Sequence, residues 1–146
     1  MDAFYRCTSL ASITFKGIIP VFPYSTIPNL ETLVLGNDVT SIYESAFSDC
    51  SALNTVTIGN GVTDIGANAF NGCTSLEKLA IGKSLETVGE NALANCSSLT
   101  GIEFNGTVEK WDTIVKAETW NSATGEYTIN CSDGTISKDG TVTKTE

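Results

Sequence analysis

Apolar residues recur along this chain in triplets with an L-x-x-L-x-L spacing. They are Leu10, Ile13 and Phe15; Leu30, Leu33 and Leu35; Leu53, Val56 and Ile58; Leu76, Leu79 and Ile81; and Leu99, Ile102 and Phe104. The last two of each triplet are two apart, so both point to one face of a strand and the polar or small residue between them points to the other. Gly36, Gly59 and Gly82 follow three of these strands and Asn105 follows the last, where a tight turn is expected to need φ > 0. A second apolar pair comes next, Val39 and Ile42, Val62 and Ile65, Leu85 and Val88, predicting a short extended or bent segment on an opposite wall. Ala46-Phe47, Ala69-Phe70 and Ala92-Leu93 then stand three residues before a cysteine. Small-then-large at a corner predicts a single helical or 3₁₀ turn that packs its large residue inward.

The whole pattern repeats. Cys50, Cys73 and Cys96 are 23 residues apart, and Cys50-Ser51-Ala52-Leu53 aligns with Cys73-Thr74-Ser75-Leu76 and Cys96-Ser97-Ser98-Leu99. Self-similarity at a fixed period in this range predicts a leucine-rich-repeat solenoid: a right-handed coil with a parallel β-sheet on one face and short strands and 3₁₀ or helical turns on the other. In the third unit Leu53, Val56, Ile58, Val62, Ile65, Ala69, Phe70 and Cys73 form one inward layer. Burying each large side chain is worth about 1.5–3 kcal/mol, but only once a neighbouring layer covers it, so a single repeat could not fold alone. The second unit departs from the template. Its period from Leu10 to Leu30 is 20, Ile27 stands for the cysteine, Pro20, Pro23 and Pro28 all fall in it, and Tyr24 takes the place of the inward phenylalanine.

The two ends differ. Asp2-Ala3-Phe4-Tyr5-Arg6-Cys7 aligns with Asn68-Ala69-Phe70-Asn71-Gly72-Cys73, so the chain starts in the middle of a repeat. A fragment of a longer protein is the expectation, with an open apolar cross-section and unpaired strand edge at the N-terminal face and weak self-association through it. After Phe104 the period stops. Val108, Trp111, Ile114 and Val115 fall on one helical face behind Thr107 as N-cap, Asn121 to Gly125 read as a turn, and Glu126 to Cys131 read as a strand. The expected division is a solenoid of about four to five units over 2–104, a C-terminal α+β cap over 105–136 and a tail, hairpin or linker over 137–146.

Composition narrows the chemistry. Against 17 acidic residues stand 8 basic ones, a net charge of −9 in 146 residues. That disfavours nucleic acid and anionic membrane surfaces, both of which need clustered cations. No run of 18 apolar residues is present to span a bilayer. There is no histidine, which removes the usual general base and the Ser–His and Cys–His dyads. Asp38, Glu44, Asp49, Asp64, Glu86 and Glu90 fall in turns and on the outer wall, where solvated charges are expected. No catalytic residue, cofactor or metal is therefore predicted. Cys50, Cys73 and Cys96 read as buried free thiols, the alternatives being a disulfide between stacked neighbours or an all-thiolate metal site.

The outward strand positions are the better functional surface. By alternation they form two columns, Ser12, Thr32, Thr55, Lys78, Gly101 and Thr14, Val34, Thr57, Ala80, Glu103. Thr14, Thr32, Val34, Thr55, Thr57, Lys78, Ala80 and Glu103 are the candidate binding residues. They are small and nearly uncharged, and threonine also simply suits an exposed sheet.

The pattern C-x-x-L-x-x-I-x-I-G-x-x-V-x-x-I-x-x-x-A-F resembles the BspA-type leucine-rich repeats of bacterial surface proteins, also found in some parasitic protists. Asn105-Gly106-Thr107, Trp111, Trp120-Asn121 and Gly125 through Gly134 are similar to the segment that ends such arrays in gut Firmicutes. The resemblance covers about residues 2–136. It implies an extracellular or cell-surface protein whose repeats bind proteins or glycans of host or neighbouring cells, and it brings no catalytic motif. Two functions follow as expectations: a non-catalytic, adhesion-type binding module, or a structural spacer and array terminator within a larger surface protein.

Overall fold

The computed structural model describes Phe4 and residues 6–146. In chain order its first strands are β1 (Ser12–Phe15), β2 (Thr32–Leu35), β3 (Ser41–Ile42), β4 (Thr55–Ile58), β5 (Asp64–Ile65), β6 (Lys78–Ile81), β7 (Thr87–Val88) and β8 (Gly101–Phe104). Helix α1 (Val108–Thr113) follows, then β9 (Val115–Lys116), β10 (Thr128–Cys131), β11 (Gly134–Ser137) and β12 (Val142–Lys144). The long sheet runs β1-β2-β4-β6-β8-β10-β11-β12 and the opposite wall runs β3-β5-β7-β9. Pairing is parallel from β1 to β10 and antiparallel from β10 to β12. This is the predicted parallel-sheet solenoid.

The inward positions are those that the spacing assigned. All eight residues of the third layer are buried, as is Tyr24. Tyr24, Phe47 and Phe70 form one aromatic stack, with centroids 4.8 Å and 5.5 Å apart in turn. The corners differ from expectation. Ala46-Phe47 and its equivalents lie in successive turns, and the one 3₁₀ helix among the described residues is Tyr24–Thr26 in the irregular unit. Alternate amides explain this. Ala46, Ser48 and Cys50 donate three residues back, whereas Ser45, Phe47 and Asp49 donate to Ala67, Ala69 and Asn71 of the next coil. A helix would keep all of these amides within its own coil. Breaking it requires left-handed backbone, found at Ser45, Asn68 and Asn91 and again at Asp49, Gly72 and Asn95.

Of the segment expected to lie ahead of β1, Asp2, Ala3 and Tyr5 fall outside the described residues. Phe4 to Cys7 keeps the predicted register, with Cys7 N–H donating to Phe4 O as Cys73 does to Phe70. The apolar cross-section is more closed than expected. Phe4 packs against Phe15, Phe22 and Tyr24 at 5.4–6.4 Å, and Ile13 and Phe15 are buried.

Beyond Phe104 the coil continues in enlarged form. β10 takes the sixth place in the long sheet, and β9 pairs with β7 on the opposite wall. Leu93 N–H donates to Trp120 O and Asn95 N–H to Ser122 O, which extends the corner ladder. Thr107 caps α1 as predicted, its hydroxyl accepting from Lys110 N–H at 3.1 Å. Trp111 meets Phe104 edge-on at 5.2 Å. Val115 is a correction: it is 70% exposed rather than on an apolar helical face. The helix ends at Thr113, and register with Thr87 turns Val115 outward. Lys116 therefore takes the inward place of Val88, and its ammonium donates to Trp111 O and Ile114 O at 3.0 and 2.9 Å. Residues 134–144 form a hairpin.

Cys50, Cys73 and Cys96 are buried and free. Cys73 Sγ donates to Phe47 O and Cys96 Sγ to Phe70 O, each at 3.2 Å. Burial pushes the Cys50 and Cys96 thiols up from 9.0 to about 12, and Cys73 higher still. The folded state thus favours the neutral thiol. That preference is complete below pH 9 and is eroded between about pH 9 and 12 as the unfolded thiols ionise, by about 1.4 kcal/mol per pH unit per thiol. Urea midpoints should fall across this window, and substituting all three cysteines by alanine should flatten the fall. Equal slopes would refute the account. Denatured chain should also titrate about five thiols without prior reduction, and fewer than four would reveal a disulfide.

Candidate binding face

The outward columns are in register. Ser12, Thr32, Thr55, Lys78 and Gly101 are successive partners, as are Thr14, Val34, Thr57, Ala80 and Glu103. β10 lengthens both columns, adding Thr128 to the first and Asn130 to the second. All eight candidate residues are exposed or half-buried on this face. The Lys78 ammonium lies over the bare Gly101, and Asn130 Nδ2 donates to Glu103 Oε1 at 2.5 Å. Thr55 Oγ1 donates to Asn54 Oδ1 at 3.0 Å. The face holds charge only at Lys78 and Glu103 of the eight, so it is a shelf of small groups.

At the C-terminal ends of the strands the shelf deepens into an open groove of about 420 Å³. Thr57, Ala80 and Glu103 line one side and an asparagine row the other. Asn37 Oδ1 accepts from Asn60 N–H at 2.9 Å, and Asn60 Oδ1 accepts from both Lys83 N–H and Asn105 Nδ2 at 3.1 and 3.0 Å. Sequence reasoning passed over this row. Its signal, an Asn directly after Gly36 and Gly59, is broken by Lys83 in the next unit.

The glycines of the groove act by closeness. Gly36, Gly59, Gly82 and Asn105 do not adopt the positive φ expected of them. A Cβ on Gly82 would instead stand 2.4 Å from Gly59 O, and one on Gly59 would stand 2.7 Å from Leu35 O. Coil-to-coil contact leaves no room for a methyl group.

The six acids named from sequence, Asp38, Glu44, Asp49, Asp64, Glu86 and Glu90, are all exposed. The Thr63 and Thr87 hydroxyls donate to the Asp64 carboxylate at 2.5 Å and hold it below the usual carboxylate range. That pair ties β5 to β7 on the wall away from the sheet face. Among the described residues, no group of three acids or cysteines is placed to hold a metal, and no helix is long and apolar enough to cross a membrane.

The BspA type Leucine rich repeat region matches residues 17–132 in six copies, so the chain belongs to that family. Among solved structures it is similar to the T. pallidum leucine rich repeat protein, with a TM-score of 0.52 and 21% identity over 77% of this chain and 59% of that one. A leucine rich cell surface protein from Faecalibacterium prausnitzii A2-165 aligns at TM-score 0.38 and 15% identity over 91% of this chain and 48% of that one. The chain thus spans about half to three-fifths of these two proteins. No curated protein matches it.

The glycine shelf makes a clear prediction. Gly82→Ala should destabilise the chain by about 1–3 kcal/mol, because the facing atoms are backbone. Gly17→Ala, with nothing within 4 Å, should be neutral or stabilising by about 0.4–1 kcal/mol. Chemical denaturation of the two variants checks the contrast, and equal effects would remove the close-approach argument.

Proposed function

We propose that this member of the BspA type leucine-rich repeat family is a non-catalytic module of an extracellular or cell-surface protein, presenting the outer face of its long sheet to a protein or glycan of a host or neighbouring cell. The observation that carries the reading is the unbroken register of two columns of small residues, with Thr14, Thr32, Val34, Thr55, Thr57, Lys78, Ala80 and Glu103 at their surface. Such a face accepts a large partner without steric obstruction. It also lacks the exposed Trp, Tyr or Arg that concentrates binding energy. Affinity per coil is therefore low, and useful strength comes from many coils acting together.

A second reading, a spacer and array terminator, draws on the segment after Phe104. There α1, Trp111 and the β10–β12 strands cover the last regular coil, and the closing unit of this reading takes in the 134–144 hairpin as well as residues 105–136. Substitution separates the two. In the longest available protein containing this chain, Thr57→Arg with Ala80→Arg should weaken binding to immobilised matrix proteins or glycans by about tenfold or more, with an unchanged melting temperature. Binding that survives both this change and deletion of the repeats would favour the spacer.

A further inference from the structure

A second concavity lies away from the sheet face, at the end of the core. It encloses about 360 Å³ among α1, the Trp120 turn and the β10–β11 hairpin. Its floor is aromatic and aliphatic. Trp111 lies 6.0 Å from Trp120 and Trp120 lies 6.3 Å from Tyr127, with Ile129 and Ile136 alongside. Trp111 and Tyr127 are each only 4% exposed, whereas Trp120 is half-buried. Trp120 is therefore the ring with surface to offer. In the corner ladder it replaces Ala69 and Ala92, so a large aromatic stands where every regular coil has a methyl group.

The rim is polar and holds unused hydrogen-bonding capacity. Asn121 Nδ2 donates to the Tyr127 hydroxyl at 2.6 Å, which leaves the Asn121 carbonyl oxygen without a donor. The Asp112 carboxylate likewise has no hydrogen-bond partner among the described residues. Two ammonium groups also line the cavity, but both are engaged. Lys116 bonds two carbonyls and sits 5.1 Å over the Trp111 ring. Lys138 bonds Thr124 O and pairs with Glu126 at 3.6 Å. Asp112 acts on Lys116, and Glu126, exposed outside the lining, offsets Lys138, so neither ammonium of the lining is left without an acid. A cationic ligand would find one aromatic face already occupied by an ammonium, and an anion would find no uncommitted cation.

A neutral ligand with one apolar face and a rim of hydroxyls satisfies every part of this lining. We propose that the cavity binds a neutral hexopyranose unit of a glycan, its C–H face on Trp120 and its hydroxyls shared between Asp112 and Asn121. This site is separate from the sheet face, and either can fail without the other.

Both tryptophans of the chain line the cavity, so intrinsic fluorescence reports occupancy directly. The 146-residue chain should be titrated with methyl glycosides of glucose, galactose, mannose and N-acetylglucosamine, with choline and galacturonate as charged probes. At least one neutral glycoside should give a saturable change with a dissociation constant on the order of 1 mM. Asp112→Ala and Asn121→Ala should each raise it about tenfold, while Asp38→Asn, far from the cavity, leaves it unchanged. Trp120→Ala should abolish binding; if that variant unfolds, the two rim variants still decide the question. The proposal is overturned if no neutral glycoside saturates, if neither rim substitution weakens binding, or if choline or galacturonate binds more tightly than every neutral glycoside.

Discussion

Each coil hydrogen-bonds to the next on three walls at once, and this shared spacing governs everything else in the molecule. The long sheet, the short-strand wall and the corner ladder all run between equivalent residues of adjacent coils. Strand separation is fixed at about 4.8 Å, so a side chain chosen at one position must stack on the same position one coil away. The 23-residue period records that demand. Tyr24, Phe47 and Phe70 stack at that spacing, and the buried Leu93 continues their column in the next coil. Cys50, Cys73 and Cys96 line up because a small group that can donate to a carbonyl fits the next corner.

The same spacing shapes the functional surfaces. Backbones that approach this closely exclude even a methyl group at Gly59 and Gly82, which opens the groove beside Thr57 and Ala80. A regular coil consequently offers a flat and repetitive face. Departure from regularity is what creates a pocket with individual character. The enlarged sixth coil inserts α1, brings Trp120 into an alanine position and turns Lys116 into the core column. Its cavity is the one place in the described chain where two tryptophans, a tyrosine and unpaired polar groups converge.

Inward strand positions were legible in the sequence because burial is decided by spacing alone, and spacing repeats. The same is true of Tyr24 as the stand-in for phenylalanine and of Thr107 as the helix cap. Three features were hidden, each because its cause lies in the neighbouring coil. The glycines after the strands looked like turn residues, when the facing carbonyl one coil away was the reason for them. Left-handed backbone fell at Ser45, Asn68 and Asn91, residues that tolerate it, but nothing local said that the corner amides would donate outward. Val115 followed a helical period that stopped two residues earlier. The two outward columns could be read from alternation, whereas the Asn37–Asn60–Asn105 row could not, because Lys83 interrupts it and contributes its backbone amide instead.

The irregular second unit shows what length changes such a coil accepts. Three residues are missing there, and the short-strand wall begins only at β3, one coil after the long sheet begins. The long sheet, by contrast, passes from β1 to β2 with no slip in register. Evolution therefore has two currencies of indel in this architecture. Whole 23-residue units can be added or removed while the remaining coils keep the same register with one another. The smaller change in the second unit falls on the wall away from the sheet. The sheet acts as a ruler read in whole coils, so a lineage can lengthen or shorten its exposed face in equal steps without redesigning a single contact.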